Sequence, residues 1–171
     1  LAKFDELLAR VEDSSFDPTN PKDRQRTELA LAECLYWKAD LLLDKAVNRP
    51  AEALALLEGF EERLAGQAGF FEQVKYQRIT AHAGAGQPSE ADAALDELRE
   101  YSPESSYVPV GSYWVARSYN DAAVAAQEAG NTELADEQLE RAAELMWEYC
   151  QGTGFQNFGH ILLTGEWFAA V

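Results

Sequence analysis

A helical-hairpin pattern recurs three times along the chain and constrains the fold more than any other sequence feature. Each copy places a small residue and then large apolar residues in a short acidic helix that follows a turn or a break. The three sets are Gly130, Ala135, Leu139 and Ala142; Gly86, Ala91, Leu95 and Leu98; and Pro50, Ala53, Leu57 and Phe60. Self-similarity on this scale predicts helical hairpins, each of which buries its apolar face only against a neighbour.

The remaining pattern is helical as well, and it predicts an all-α fold in a single domain over residues 1–171. Apolar residues recur at helical spacing, prolines and glycines separate the segments, and no strand-like alternation is evident. We predict helices over residues 1–12, 22–47, 51–64, 70–83, 88–101, 112–129, 132–149 and 155–171. Pro21 and Pro88 fall at helix starts, where a missing N–H is tolerated.

The hairpins resemble tetratricopeptide repeats, in which a turn glycine precedes an Ala, a bulky residue and a second Ala. Pro103 also stands where the closing proline of that family falls. The likeness covers residues 27–149. It implies a right-handed stack of about three antiparallel hairpins, an α-solenoid, with flanking helices at both ends. One departure is the distance between turn glycines, since Gly86 and Gly130 lie 44 residues apart, against about 34 in the family.

Two short segments carry a second, weaker likeness. Residues 101–105 and 113–119 are similar to a linker-and-helix phrase of envelope-associated bacterial repeat proteins, which act as scaffolds of envelope assembly or cell division. This resemblance implies a scaffold role and a bacterial origin.

The charge balance favours some partners over others. The chain has 30 acidic and 14 basic residues, a formal net charge of −16. Nucleic acid and anionic lipid both require clustered Lys and Arg, so neither is an expected partner. Half of the acidic residues lie in the second helices of the hairpins, within 52–63, 90–100 and 133–148. These helices form either a solvated outer face or an acidic docking surface.

The family resemblance implies that the first helices of the hairpins line a concave groove. Polar and apolar side chains follow one stripe on each of two such helices, and they are our candidate partner-binding residues: Gln73, Tyr76, Thr80, Arg117, Asn120, Val124 and Gln127. Arg and Asn can hold a peptide backbone or carboxylate through directional hydrogen bonds. We therefore expect a non-catalytic scaffold or adaptor that binds a peptide or partner protein, and we expect Ala at 117 and 120 to abolish capture. Ordinary surface polarity is the competing interpretation.

The apolar C-terminal segment supports an alternative function, self-association. Large apolar residues are concentrated after position 154, and a homodimer would use Phe158, Leu162, Trp167 and Phe168. The same segment would otherwise form a capping helix, or half of a further hairpin.

No catalytic or cofactor motif occurs in the sequence. The two histidines, His82 and His160, have no partner at the spacing of a metal site, and no phosphate-binding or nucleophile motif is present. Cys34 and Cys150 do not have the spacing of metal ligands, and the sequence does not decide whether they form a disulfide with each other. We predict no enzyme activity, no cofactor and no metal.

The sequence does not decide whether the protein is located in the cytoplasm or in the bacterial envelope. No apolar run reaches 18 residues, so we expect a soluble protein without membrane insertion. The chain starts at Leu1 and its only methionine is Met146. We therefore expect a piece of a longer protein.

Overall fold

The structure, a computed structural model, describes residues 1–12 and 20–151. All the regular elements within these ranges are helices, which confirms the all-α prediction. A short 3-10 segment, Ala65–Phe70, precedes the fifth α-helix. The α-helices are α1 Ala2–Glu12, α2 Pro21–Leu43, α3 Pro50–Leu57, α4 Phe60–Arg63, α5 Phe71–Gly84, α6 Pro88–Tyr101, α7 Tyr107–Glu128 and α8 Thr132–Gln151. The predicted helix over 155–171, with the dimer residues Phe158, Leu162, Trp167 and Phe168, lies outside the described residues.

Prolines and glycines set most of the helix boundaries. α2, α3 and α6 each begin with a proline in the first turn, where the backbone N–H has no intrahelical partner. The N–H of Lys22 also donates to Asn20 Oδ1 at 3.1 Å, which caps α2. The turn glycines Gly86 and Gly130 have φ of 71° and 77°, a left-handed conformation that an L side chain rarely adopts. The turns at these two glycines were predicted.

The first hairpin departs from the prediction in two places. The helix predicted over 51–64 is interrupted, because Glu58 is extended and Gly59 has φ of 61°. α2 ends at Leu43 rather than near position 47. Its end is fixed by Asp44, which leaves the helix with ψ of 139° and accepts a hydrogen bond from the N–H of Ala46 at 2.8 Å. Asp side chains favour such local turns over helix continuation.

α7 begins five residues earlier than predicted. The prolines at 103 and 109 indicated a loop up to residue 110, yet Pro109 lies in the first turn of α7. A proline there removes no intrahelical hydrogen bond. The earlier start places Tyr107 at the helix entrance.

The helices pack as consecutive hairpins. α2 contacts α3, α5 contacts α6, and α7 contacts α8, while α5 also packs against α2 and α3, and α7 against α5 and α6. The small residues of the sequence pattern are buried where these helices meet: Ala53, Ala91 and Ala135 are at most 5% exposed. Leu57 and Leu95 are buried too. Leu139 of the last copy differs, because 39% of it is exposed.

The core consists of two clusters, and α5 contributes to both. One cluster lies between α2, α3 and α5, and a second between α5, α6, α7 and α8. Gly111 marks a close approach between helices in the second. A Cβ added there would lie 3.0 Å from Leu95 Cδ1 and 3.1 Å from Ile79 Cδ1. The absence of a side chain therefore lets α7 approach α5 and α6 closely.

Ion pairs connect the hairpins on the side of the second helices. Arg78 donates to Glu61 at 2.6 and 2.8 Å and to the carbonyl oxygen of Leu57 at 2.8 Å. Arg141 holds both oxygens of Asp92, at 2.7 and 2.9 Å. These two carboxylates therefore tie helices together and are not part of a freely solvated acidic face.

Candidate functional site

A cavity of about 530 Å³ opens between the first helices of the three hairpins. We call it the central groove. α2, α5 and α7 contribute most of its lining, with Tyr107 at one side. The principal lining residues are Tyr36, Asp40 and Leu43 from α2, with Asp44 directly after it; Gln73, Tyr76, Gln77 and Thr80 from α5; and Trp114, Arg117, Ser118 and Asp121 from α7.

Aromatic side chains hold the middle of the groove in place. The indole Nε1 of Trp114 donates to Tyr76 Oη at 3.0 Å. The ring of Tyr76 stacks on Tyr107, with centroids 5.0 Å apart. Burial raises the pKa of Tyr76, and the nearby charge of Asp40 acts in the same direction. Tyr76 therefore keeps its O–H proton at neutral pH and can donate to a ligand.

Gln77 supplies an acceptor with no partner. The residue is only 4% exposed. Its Nε2 donates to the carbonyl oxygen of Tyr36 at 3.2 Å, while its Oε1 is buried without a hydrogen bond. Since buried polar atoms are nearly always paired, this oxygen adds an unmet requirement for a donor at the groove.

The charged side chains of the groove are unpaired. The lining includes three carboxylates and two cations: Asp40, Asp44, Asp121, Lys45 and Arg117. Among the described residues, none of these five forms an ion pair. The guanidinium of Arg117 instead lies 6.0 Å from the ring centroid of Trp114.

Four of the seven predicted site residues line the groove: Gln73, Tyr76, Thr80 and Arg117. Two of these side chains already donate hydrogen bonds within the protein. With its amide oriented by its neighbours, Gln73 donates to the carbonyl oxygens of Gly69 and Phe70, and Thr80 Oγ1 donates to that of Gln77 at 3.0 Å. Tyr76 and Arg117 are left as the groups that can reach a ligand.

The other three predicted residues, Asn120, Val124 and Gln127, do not line the groove. They lie further along α7, where Asn120 is half-buried and Val124 is 47% exposed. The groove wall continues from Arg117 to Asp121, one full turn on, rather than to Asn120. The stripe chosen from the sequence therefore diverges from the observed one after Arg117.

Sequence reasoning missed the α2 wall. Tyr36, Asp40, Leu43 and Asp44 recur at the helical spacing used for the other two first helices. That spacing was a usable signal. Trp114 precedes Arg117 by three residues, and the same reasoning would have included it. Tyr107 gave no such signal, because the prolines on either side indicated a loop.

Other reactive side chains lie away from the groove. His82 Nδ1 is 2.9 Å from Gln87 Oε1. Cys34 and Cys150 are free and half-buried, and burial raises the pKa of each thiol. Within residues 1–12 and 20–151, no group of three or more His, Cys, Asp or Glu side chains is placed to hold a metal ion. No described helix is long and apolar enough to cross a membrane.

The sequence matches no protein-family model, and no curated protein or solved structure is significantly similar to it. The function therefore has to be argued from the groove itself.

Proposed function

We propose that this chain is a non-catalytic protein–protein interaction module that binds a peptide, or an extended segment of a partner protein, in the central groove. In this proposal the hairpins form a right-handed stack related to tetratricopeptide repeats. The order of the helix contacts supports it, because each hairpin packs against the next and the three first helices share one groove.

The observation that carries the proposal is the groove lining. A cavity of about 530 Å³ is within the range of small ligand sites. Its aromatic middle is fixed by the bond between Trp114 and Tyr76, and its exposed charges are unpaired. Rigid aromatic groups with a few orienting polar groups are typical of binding sites, since they lose little conformational entropy on association.

The groups around the groove favour binding over chemistry. Thr80 and Ser118 are the aliphatic hydroxyl side chains of the principal lining, and each donates to a backbone carbonyl oxygen. A nucleophilic hydroxyl would instead require a His or a carboxylate within hydrogen-bonding distance. This arrangement supports a non-catalytic role.

Selection from a random peptide display library tests the proposal. The wild-type chain should enrich peptides, and Arg117→Ala should lose them. Arg63→Ala is the matched control, because Arg63 is an exposed helical arginine that does not line the groove. Asn120→Ala should retain binding, since Asn120 lies outside the groove. Failure to enrich any peptide, or equal loss with Arg63→Ala, would contradict the proposal.

Self-association is the alternative function. Trp147 on α8 favours it, because 67% of this large apolar side chain is exposed. The residues predicted for the dimer lie outside the described ranges. Sedimentation equilibrium over a hundredfold range of concentration separates the two functions. Our proposal predicts a constant mass of one chain, whereas a mass that rises with concentration and falls back with Trp147→Ser would favour self-association.

A further inference from the structure

We propose that the central groove recognises a basic side chain of its partner segment, a lysine or an arginine, which lies over the tyrosine rings with its charge against Asp40. This inference rests on the proposed function and specifies the chemistry of the ligand.

The carboxylates of the α2 wall supply the first part of the argument. Asp40 and Asp44 are one helical turn apart, both line the groove, and both are exposed. Neither forms an ion pair with a described residue. A ligand cation would be the first to neutralise them.

The buried amide of Gln77 supplies an independent second part. Its Oε1 has no donor although the residue is 4% exposed and lines the same groove. The carboxylates of Asp40 and Asp44 present acceptors only, and Gln77 adds an amide oxygen that has no donor. An ammonium group carries three N–H donors and a guanidinium five, with no acceptor. Basic side chains therefore match this half of the groove, and acidic ones do not.

The aromatic rings complete the match. Tyr36 and Tyr76 line the groove beside Asp40, and Tyr107 stacks on Tyr76. A cation over such rings is stabilised by their quadrupole, and the aliphatic stem of lysine or arginine packs on their faces. The net charge of −16 would also accelerate the approach of a basic segment at low salt.

Two cations of the groove oppose a basic ligand, Lys45 and Arg117. Lys45 lies at the end of the α2 wall, so we place the ligand's charge at Asp40, one turn before that end. Arg117 stands on the α7 wall, where its guanidinium already lies near the ring of Trp114 and where Asp121 follows one turn later. We therefore place the basic side chain at the α2 wall. The segment's backbone carbonyl oxygens, which need donors, face Arg117.

The test is a titration of the full chain with the capped peptide acetyl-Ala-Arg-Ala-Ala-amide, followed by the indole N–H resonance of Trp114 in ¹H–¹⁵N spectra. Trp114→Phe assigns that resonance. Two further peptides carry citrulline, a neutral analogue of arginine, or glutamate in place of the arginine. We expect the arginine peptide to shift the resonance and to bind about tenfold more tightly than the citrulline peptide. Added salt should weaken its binding.

Asp40→Asn should weaken the arginine peptide about tenfold, and Asp136→Asn, an exposed helical aspartate outside the groove, should not. Equal affinity of the arginine and citrulline peptides, tighter binding of the glutamate peptide, or an unchanged affinity in Asp40→Asn would each overturn the inference. So would a complete lack of shift.

The display-library experiment separates this inference from the proposed function. If the inference fails but library peptides that depend on Arg117 are still recovered, only the preference for a basic residue is wrong. If none are recovered, the proposed function itself fails.

Discussion

At the scale of single residues, buried or half-buried ion pairs decide how the hairpins hold together. Asp92 on α6 is 13% exposed in its side chain and accepts two hydrogen bonds from Arg141 on α8. Tyr119 Oη also donates to Asp92, at 3.3 Å. The same carboxylate therefore connects α6, α7 and α8.

Replacing Arg141 with a neutral residue should destabilise the fold, because Asp92 is largely buried. We expect Arg141→Gln to lower the free energy of unfolding by about 1–3 kcal/mol, since the largely buried Asp92 would lose two charge-assisted hydrogen bonds. Urea denaturation followed by circular dichroism measures the change. Arg63→Gln, at an exposed site, should change the same quantity by less than about 0.5 kcal/mol. Equal effects of the two substitutions would refute the role given to Asp92.

Glu61 makes the stability of the chain depend on acid pH. Burial disfavours its ionised form, but the hydrogen bonds from Arg78, a backbone hydrogen bond and the charges of Arg78 and Lys75 together outweigh burial and lower the pKa of Glu61 below its ordinary value. A lowered pKa in the folded state stabilises the fold above the unfolded-state value of about 4.3, and this contribution disappears as pH falls through the folded-state pKa.

The stability difference between the wild type and Glu61→Gln should therefore be largest at neutral pH and should shrink as pH falls below about 4.5. Chemical denaturation of both proteins at pH 7, 5 and 3.5 measures it. Glu137→Gln, an exposed acid with no ion pair among the described residues, should show no such trend. A difference that is constant with pH would show that Glu61 contributes through packing alone.

At the scale of the helices, the boundaries marked by a proline at a helix start or a glycine in a turn were predictable, and the other boundaries were not. Pro21, Pro88, Gly86 and Gly130 mark boundaries that the structure confirms within one or two residues. Gly59 was missed because a single glycine inside an amphipathic pattern is usually tolerated in a helix. The start of α7 was missed because Pro109 suits a loop and a first helical turn equally well.

The residues that line the groove were also predictable only in part. Three of the groove residues predicted on α5, namely Gln73, Tyr76 and Thr80, line it because a straight helix keeps one stripe on one face. The prediction that Asn120 lines the groove was wrong, because the sequence alone does not show how α7 is rotated about its own axis relative to the neighbouring helices. Gly111 sets part of that packing, and only the structure shows what it meets.

Gly111 gives a direct test of this packing. Gly→Ala in a helix ordinarily stabilises by about 1 kcal/mol. Here the added Cβ would meet Leu95 and Ile79, which are both fully buried, so overpacking should cost about 1–3 kcal/mol. We expect Gly111→Ala to lower the unfolding free energy, and Gly111→Val to lower it further. Gly69→Ala, where no atom lies within 4 Å of the added Cβ, is the control. A stabilised Gly111→Ala would contradict the close approach of α7.

At the scale of the whole molecule, the first helices enclose one groove whose lining charges form no ion pair with a described residue. Exposed acids of the second helices, such as Asp136 and Glu137, are unpaired too within the described part of the chain, so unpaired charge alone does not single out the groove. The groove adds a cavity and an aromatic middle that the hydrogen bond between Trp114 and Tyr76 fixes. This combination is the central reason to regard the groove as the interaction site.

Hydrogen–deuterium exchange of the free chain and of the chain saturated with a library-selected peptide tests whether the groove is the interaction site. We predict added protection in α2, α5 and α7, centred on the segments that contain Asp40, Tyr76 and Arg117. Exchange in α6 and α8 should change little. Protection confined to α6 and α8, with α2, α5 and α7 unchanged, would move the interaction site to the acidic second helices and contradict the account.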